Sequence, residues 1–133
     1  MIGYHGTPAS TPIRKFKKSK TGALGPGIYF TTDVREAERY ATKYQKGEIY
    51  EAELDVRNPF SIHNLSDPAV EILSPALYKR RTAENGNYCY WIKTSDLKKL
   101  QKAGYDAIIM KDEIMVFDPE QITILSVRTV EAK

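Results

Sequence analysis

Four short stretches hold the residues whose types and spacing could do chemistry. "YHGT" places His5 at the end of a strand-like run, followed by Gly6 and Thr7. A glycine there leaves its backbone N–H and C=O open to a ligand, because no side chain blocks close approach. His5 reads either as an ordinary turn histidine or as a ligand contact. "GIYFTTDVREAERYA" carries Tyr29 and, eleven residues on, Tyr40. Two such rings are either core aromatics or the two sides of a slot for something flat. "EIMVF" opens on Glu113, a lone carboxylate entering an apolar strand as a rim residue or a positioned one. Lastly, the first 32 residues contain no Asp or Glu yet carry Arg14, Lys15, Lys17, Lys18 and Lys20, while the remainder is slightly acidic. Such a segment is a solvated loop or a contact for phosphates, on a small ligand or a nucleic acid.

Much familiar chemistry has no counterpart. There is no Walker loop, no Gly-x-Gly-x-x-Gly, no Gly-x-Ser-x-Gly elbow and no His/Cys/carboxylate cluster at ligand spacing, so a metal-free reaction is expected. With one cysteine, Cys89, no intrachain disulfide forms, and a reducing cytoplasmic home is the default. No apolar run is long enough to span a bilayer, and "MIGYHGTPAS" does not read as a secretory signal.

The elements that position these residues follow from period and punctuation. "MIGYHGT" reads as a strand ending at Gly6, and residues 8 to 26 as a long loop. "GIYFTT" is β-prone. Asp33 then caps a helix with Glu36 three residues on; Val34, Ala37, Ala41 and Tyr44 keep helical spacing, Tyr40 lies beside them, and Gly47 stops it. "IYEAELDV" alternates Tyr50, Ala52, Leu54 and Val56 against Glu51, Glu53 and Asp55, a strand with one wet side. Asp67 and Pro68 open a helix through Leu73 that Pro75 interrupts, and "ENGNYCYWI" pairs an Asn-Gly turn with clustered aromatics. Ser95 caps a last helix through Ala103, stopped by Gly104. "YDAIIM", "EIMVF" and "ITILSV" read as strands, the first two joined by a tight Lys111-Asp112 turn. One α+β domain over 1–133 with antiparallel sheets is the expected architecture.

In this order, "HGT", "GPGIYF", Ala-x-x-Tyr and "EIMVFD" resemble the ADP-ribosyltransferases of the diphtheria-toxin-like and poly-ADP-ribose-polymerase-like branch. The resemblance implies split antiparallel β-sheets flanked by a few short helices, with His5, Tyr29 and Glu113 as the His-Tyr-Glu set. It implies NAD as co-substrate and no metal. His5, Gly6, Thr7, Tyr29 and Tyr40 would bind NAD: Tyr29 and Tyr40 sandwiching nicotinamide, the Gly6 backbone reading its carboxamide, and His5 bonding a ribose hydroxyl of the adenosine half. Glu113, with His5 and Tyr29, would form the catalytic set. Basic side chains within 14 to 20 would lie near the pyrophosphate or the acceptor. The departure is Ala37, where polymerase-like members carry a serine that bonds the amide; one contact of roughly 0.5–1.5 kcal/mol is missing.

The expected function is NAD-dependent mono-ADP-ribosyl transfer to a macromolecular acceptor, protein ahead of nucleic acid, in the cytoplasm of its own or a target cell. Small freestanding members look like phage or toxin effectors. An NAD glycohydrolase and a non-catalytic NAD- or ADP-ribose-binding domain are the alternatives. RNA 2′-phosphotransferases, which also begin with a His-Gly pair, lack the "GIYF" to Tyr40 arrangement and rank last.

Overall fold

The computed structural model describes residues 1–8, 16–19, 22–74, 76–78, 80–82, 88–90 and 92–132. Nine strands are β1 (Ile2–Pro8), β2 (Ile28–Thr31), β3 (Lys46–Leu54), β4 (Pro59–Ser61), β5 (Arg80–Thr82), β6 (Tyr88–Tyr90), β7 (Ala107–Met110), β8 (Glu113–Val116) and β9 (Ile122–Glu131). Three helices are α1 (Val34–Ala41), α2 (Ala69–Leu73) and α3 (Thr94–Lys102), with 3₁₀ turns at Ala76–Tyr78 and Pro119–Gln121. The main sheet runs β4-β7-β8-β2-β1-β3-β9, and β5 and β6 form a separate hairpin. This is the expected α+β class. The sheet is mixed, however, because β4 and β7 pair in parallel.

A seam divides the main sheet. β1 pairs with β3 along its whole length, yet shares only the Tyr4↔Thr31 pair with β2. The strands on either side each contribute one apolar face. Their inner faces merge in one core, where Ile28 and Phe30 of β2 and Ile114 and Val116 of β8 meet Tyr50, Ala52 and Leu54 of β3.

The outer face carries the helices. α2 and α3 bury Leu73, Leu97 and Leu100 against Phe60, Ile108 and Met115. α1 packs over β1 and β3 through Ala37 and Ala41, which meet Ile49. Its approach is unusually close: a Cβ on Gly6 would fall onto the Ala37 carbonyl oxygen, and one on Gly47 onto that of Ala41. Two alanines one helical turn apart thus lie over two strand glycines. Gly47 is therefore a β3 residue under the helix. The expected helix stop comes earlier, at Thr42, and the chain turns at Gln45 with φ 81°.

Most helix and strand assignments from sequence hold. Asp33 caps α1, its carboxylate accepting from the Arg35 N–H at 3.0 Å. α3 ends before Gly104, which takes φ 96°. Its start differs: Ser95 lies inside the first turn, and the Asp96 carboxylate reaches back to the Lys93 N–H at 2.9 Å. An acid at the third helical position does the capping that a serine was expected to do. The Lys111-Asp112 turn is present between β7 and β8. The expected Asn85-Gly86 turn, Pro75 and Trp91 lie outside the described residues.

Candidate active site

Register decides which side chains meet. Residues directly opposite each other across a ladder point to the same face. Tyr4↔Thr31, Thr31↔Glu113 and Glu113↔Met110 therefore make one row on the helix-bearing face. Tyr29↔Met115 and Met115↔Ile108 make the next row on the same face. Two-residue alternation puts Gly6 with Tyr4 on that face, under α1. Gly6, Tyr29 and Glu113 thus share a strip floored by β1, β2 and β8, walled by α1 on one side and by the α2–α3 cluster on the other.

Glu113 is half-buried and, among the described residues, its carboxylate has no hydrogen bond and no ion pair. Burial alone pushes its carboxyl above the usual carboxylate range. Its oxygens are nevertheless not sealed off from water. A desolvated, unpartnered carboxylate on this face of the sheet costs stability, an arrangement more common where a charge is put to use than where it merely packs.

Tyr29 is locked in place. Its hydroxyl accepts from the Leu24 N–H at 2.9 Å and donates to the Gly25 carbonyl, and its ring leans on the Leu24–Met115 core. Burial pushes the phenol well up; the Leu24 N–H opposes this, and the nearby Glu113 charge adds to it. The hydroxyl therefore stays protonated, and the ring is fixed as a surface.

Tyr40 behaves differently. It is 61% exposed near the end of α1. At 100° per residue, Glu38 and Tyr40 leave opposite flanks of the Ala37–Ala41 line. Glu38 reaches Arg128 of β9 at 2.9 Å, so Tyr40 projects from the flank facing the β2–β8 strip. No ring contact joins Tyr29 and Tyr40 among the described residues.

His5 lies on the other face, with the inner core. Its ring meets Phe16 and Phe30 edge-on, at centroid distances of 5.1 Å and 5.8 Å. Nδ1–H donates to the Tyr29 carbonyl at 2.8 Å, since a carbonyl can only accept. The imidazole thereby spans the seam where β1 and β2 stop pairing. Burial lowers its pKa, against the raising effect of that bond, so the ring is neutral and Nε2 carries a lone pair. The side chain of His5 is not brought beside the Glu113 carboxylate; it fixes the backbone beneath Tyr29. Thr7 shares the His5 side of β1 by alternation, half-buried, its hydroxyl 3.5 Å from the Pro8 carbonyl. Lys17 and Lys18 are exposed just beyond Phe16, whereas Arg14, Lys15 and Lys20 lie outside the described residues.

A separate shallow groove runs along the far flank of α1, lined by Arg35, Glu38, Arg39, Val130 and Glu131. Its two arginines are already paired, with Asp33 and Glu36, and Glu113 takes no part in it. It is not where the unpartnered carboxylate lies. The sequence reading did not single out Thr31, in the Glu113 row and bonded by its Oγ1 to the Asp33 N–H at 3.1 Å, or Phe16. A threonine two residues after Tyr29 in an alternating strand was the available signal for the first; an isolated loop phenylalanine offered none.

Residues 1–127 match the family described as ADP-ribosyltransferase in polyvalent proteins. The chain belongs to that family. The match covers His5, Gly6, Tyr29, Tyr40 and Glu113, and an ADP-ribosyltransferase domain on an α+β fold is what the geometry has to serve. No curated protein matches the sequence. Among the described residues no helix is long and apolar enough to cross a membrane, and no group of three His, Cys, Asp or Glu side chains is placed to hold a metal ion.

Proposed function

We propose that this ADP-ribosyltransferase uses NAD and transfers a single ADP-ribose to a macromolecular acceptor, with protein ahead of nucleic acid. The observation that carries the reading is Glu113, unpartnered and desolvated on the same face as Tyr29 and Gly6. The nicotinamide ring lies between Tyr29 and Tyr40, with the Gly6 backbone beside its carboxamide. Tyr29, with its hydroxyl bound, is the fixed wall, and Tyr40 the one that closes. Neutral His5 offers Nε2 as acceptor to an adenosine-ribose hydroxyl, and Lys17 and Lys18 face the pyrophosphate.

The reaction breaks the C–N bond between nicotinamide and ribose C1′. The electron pair leaves with the nicotinamide and neutralises its pyridinium charge, so no general acid is required. The ribose becomes oxocarbenium-like, and Glu113, accepting from a ribose hydroxyl, sets a negative charge beside it. The acceptor then forms the new bond to C1′ and gives up its proton to Glu113 or solvent. Low dielectric around Glu113 strengthens this attraction, which is why a carboxylate held at a stability cost is useful there.

A protein acceptor is favoured because Tyr90, the ring of the aromatic cluster near residue 90 whose burial is described, is 7% exposed and is no platform for stacking bases. The setting that suits this activity is the cytoplasm of the producing or a target cell, in the manner of a phage or toxin effector. Glycohydrolysis, with water as acceptor, uses the same site. Incubation with NAD labelled in the adenosine half and a cell lysate separates the two. Label on macromolecules that persists through denaturation supports transfer; free ADP-ribose alone means hydrolysis; intact NAD means a binding domain.

A further inference from the structure

Charge is distributed unevenly over this surface. All five ion pairs among the described residues involve α1, β9, the amino terminus or the Asp55–Arg57 turn. α3 takes part in none. Its buried stripe is Leu97 and Leu100, and the face turned to solvent holds Lys98, Lys99 and Lys102, with Lys93 at its start, all exposed. The one acid of the helix, Asp96, is engaged with the Lys93 N–H. Lys98 and Lys102 stand one turn apart, a like-charge spacing that weakens a helix when nothing compensates it.

The loop that follows Lys17 and Lys18 passes beside Ile92, just before α3. Ser19 bonds the Gly27 carbonyl through its N–H at 2.8 Å, and the Gly25 backbone abuts Ile92. Lys17 and Lys18 thus lie at the other end of the loop that grips Tyr29.

We propose that α3 is a docking surface for the phosphate backbone of duplex nucleic acid, with Lys93, Lys98, Lys99 and Lys102 as its contacts. The chemistry favours this partner over the alternatives. The solvent face of α3 holds no apolar side chain, so it lacks what an interfacial helix inserts into a membrane. It holds no aromatic ring, so it lacks the stacking platform that single strands use. Lysines without hydrogen-bonding forks or planar groups give sequence-independent, salt-sensitive neutralisation of phosphates. The surface goes beyond the catalytic reading and does not rest on it: the duplex is a docking partner, and binding requires neither NAD nor Glu113.

The test is fluorescence anisotropy with a labelled 20-base-pair DNA duplex across a salt series, without NAD. With four phosphate contacts the slope of log affinity against log salt is expected near about −3 to −4. Lys98→Glu/Lys99→Glu/Lys102→Glu is expected to lower affinity at least ~10-fold and flatten the slope by about 3, while nicotinamide release from NAD is unchanged. Lys43→Glu/Lys46→Glu/Arg128→Glu changes net charge equally but lies on the α1–β9 side, and is expected to retain binding. Equal loss in both variants would assign the effect to net charge and overturn the proposal. So would no duplex binding by the parent, or binding of anionic vesicles or polyglutamate in preference to the duplex.

Discussion

The two walls of the cleft are built on opposite plans. On the α1 side, the helix lies on the sheet with almost no side chain between: Ala37 over Gly6, Ala41 over Gly47. On the α3 side, Leu97, Leu100, Leu73 and Phe60 fill the gap between helices and sheet. The first wall is set by backbone against backbone, leaving no rotamer to absorb an error. The second is set by interdigitated side chains that relax when one is trimmed. What the cleft needs from each differs accordingly. Under the proposed function, α1 holds Tyr40 and the Gly6 backbone in register, whereas α3 supports the floor and the ring of Tyr29.

That contrast orders the expected effects of substitution. Leu100→Ala removes a fully buried side chain and is expected to lower stability by about 2–5 kcal/mol. Nicotinamide release per folded molecule should stay near the parent's. Gly6→Ala is expected to cost a comparable amount, about 1–3 kcal/mol or more, because the added carbon would fall on the Ala37 carbonyl oxygen, backbone that no rotamer change can move aside. It should also abolish most activity, since α1 must lift away from β1. Urea titration paired with a nicotinamide-release assay on both variants gives the comparison; an active Gly6→Ala enzyme would mean that close packing of α1 does not shape the site. Tyr29→Phe is the mildest of the three. It leaves the Leu24 N–H and Gly25 carbonyl without their partner and is expected to cost roughly 1–2 kcal/mol, with NAD affinity in calorimetry little changed. A large loss of affinity instead would show that the hydroxyl, not the ring, is what the ligand meets.

How much of this was legible beforehand depends on what each residue answers to. Local rules sufficed for the Asp33 cap, the Tyr50–Ala52–Leu54 alternation, the Gly104 stop and the Lys111-Asp112 turn, because each is decided within a few residues. Gly47 is not the helix stop that local punctuation suggests: its missing side chain leaves room for the Ala41 carbonyl above it and for the Thr7 carbonyl of β1, a neighbour that only the β1–β3 pairing brings there. The parallel β4–β7 pairing depends on a long connection from β4 to β7, which no local pattern encodes. Of the candidate site, His5, Tyr29, Tyr40 and Glu113 are picked out by their order through a family resemblance. The division of labour between faces is not. Strand alternation alone sets His5 apart from Gly6, but only the register with β2 shows that Tyr29 and Glu113 side with Gly6. Likewise, that Asp96 and not Ser95 caps α3 follows from where the chain enters the helix.

The central claim is that Glu113 is held at a cost to stability because its charge is needed at the ribose. One measurement on Glu113→Gln tests both halves: nicotinamide release from NAD, and melting temperature, across pH. Because burial raises its pKa in the folded state, Glu113 favours folding below about 4.5, the ordinary glutamate value, and loses that contribution as pH rises through the elevated folded pKa. At neutral pH the amide should therefore match or exceed the parent in melting temperature while turnover falls by about 10²–10⁴. Parent activity should fade on acidification at a pH above 4.5, and the two melting curves should converge there. Native turnover by a normally folded Glu113→Gln protein would contradict the account.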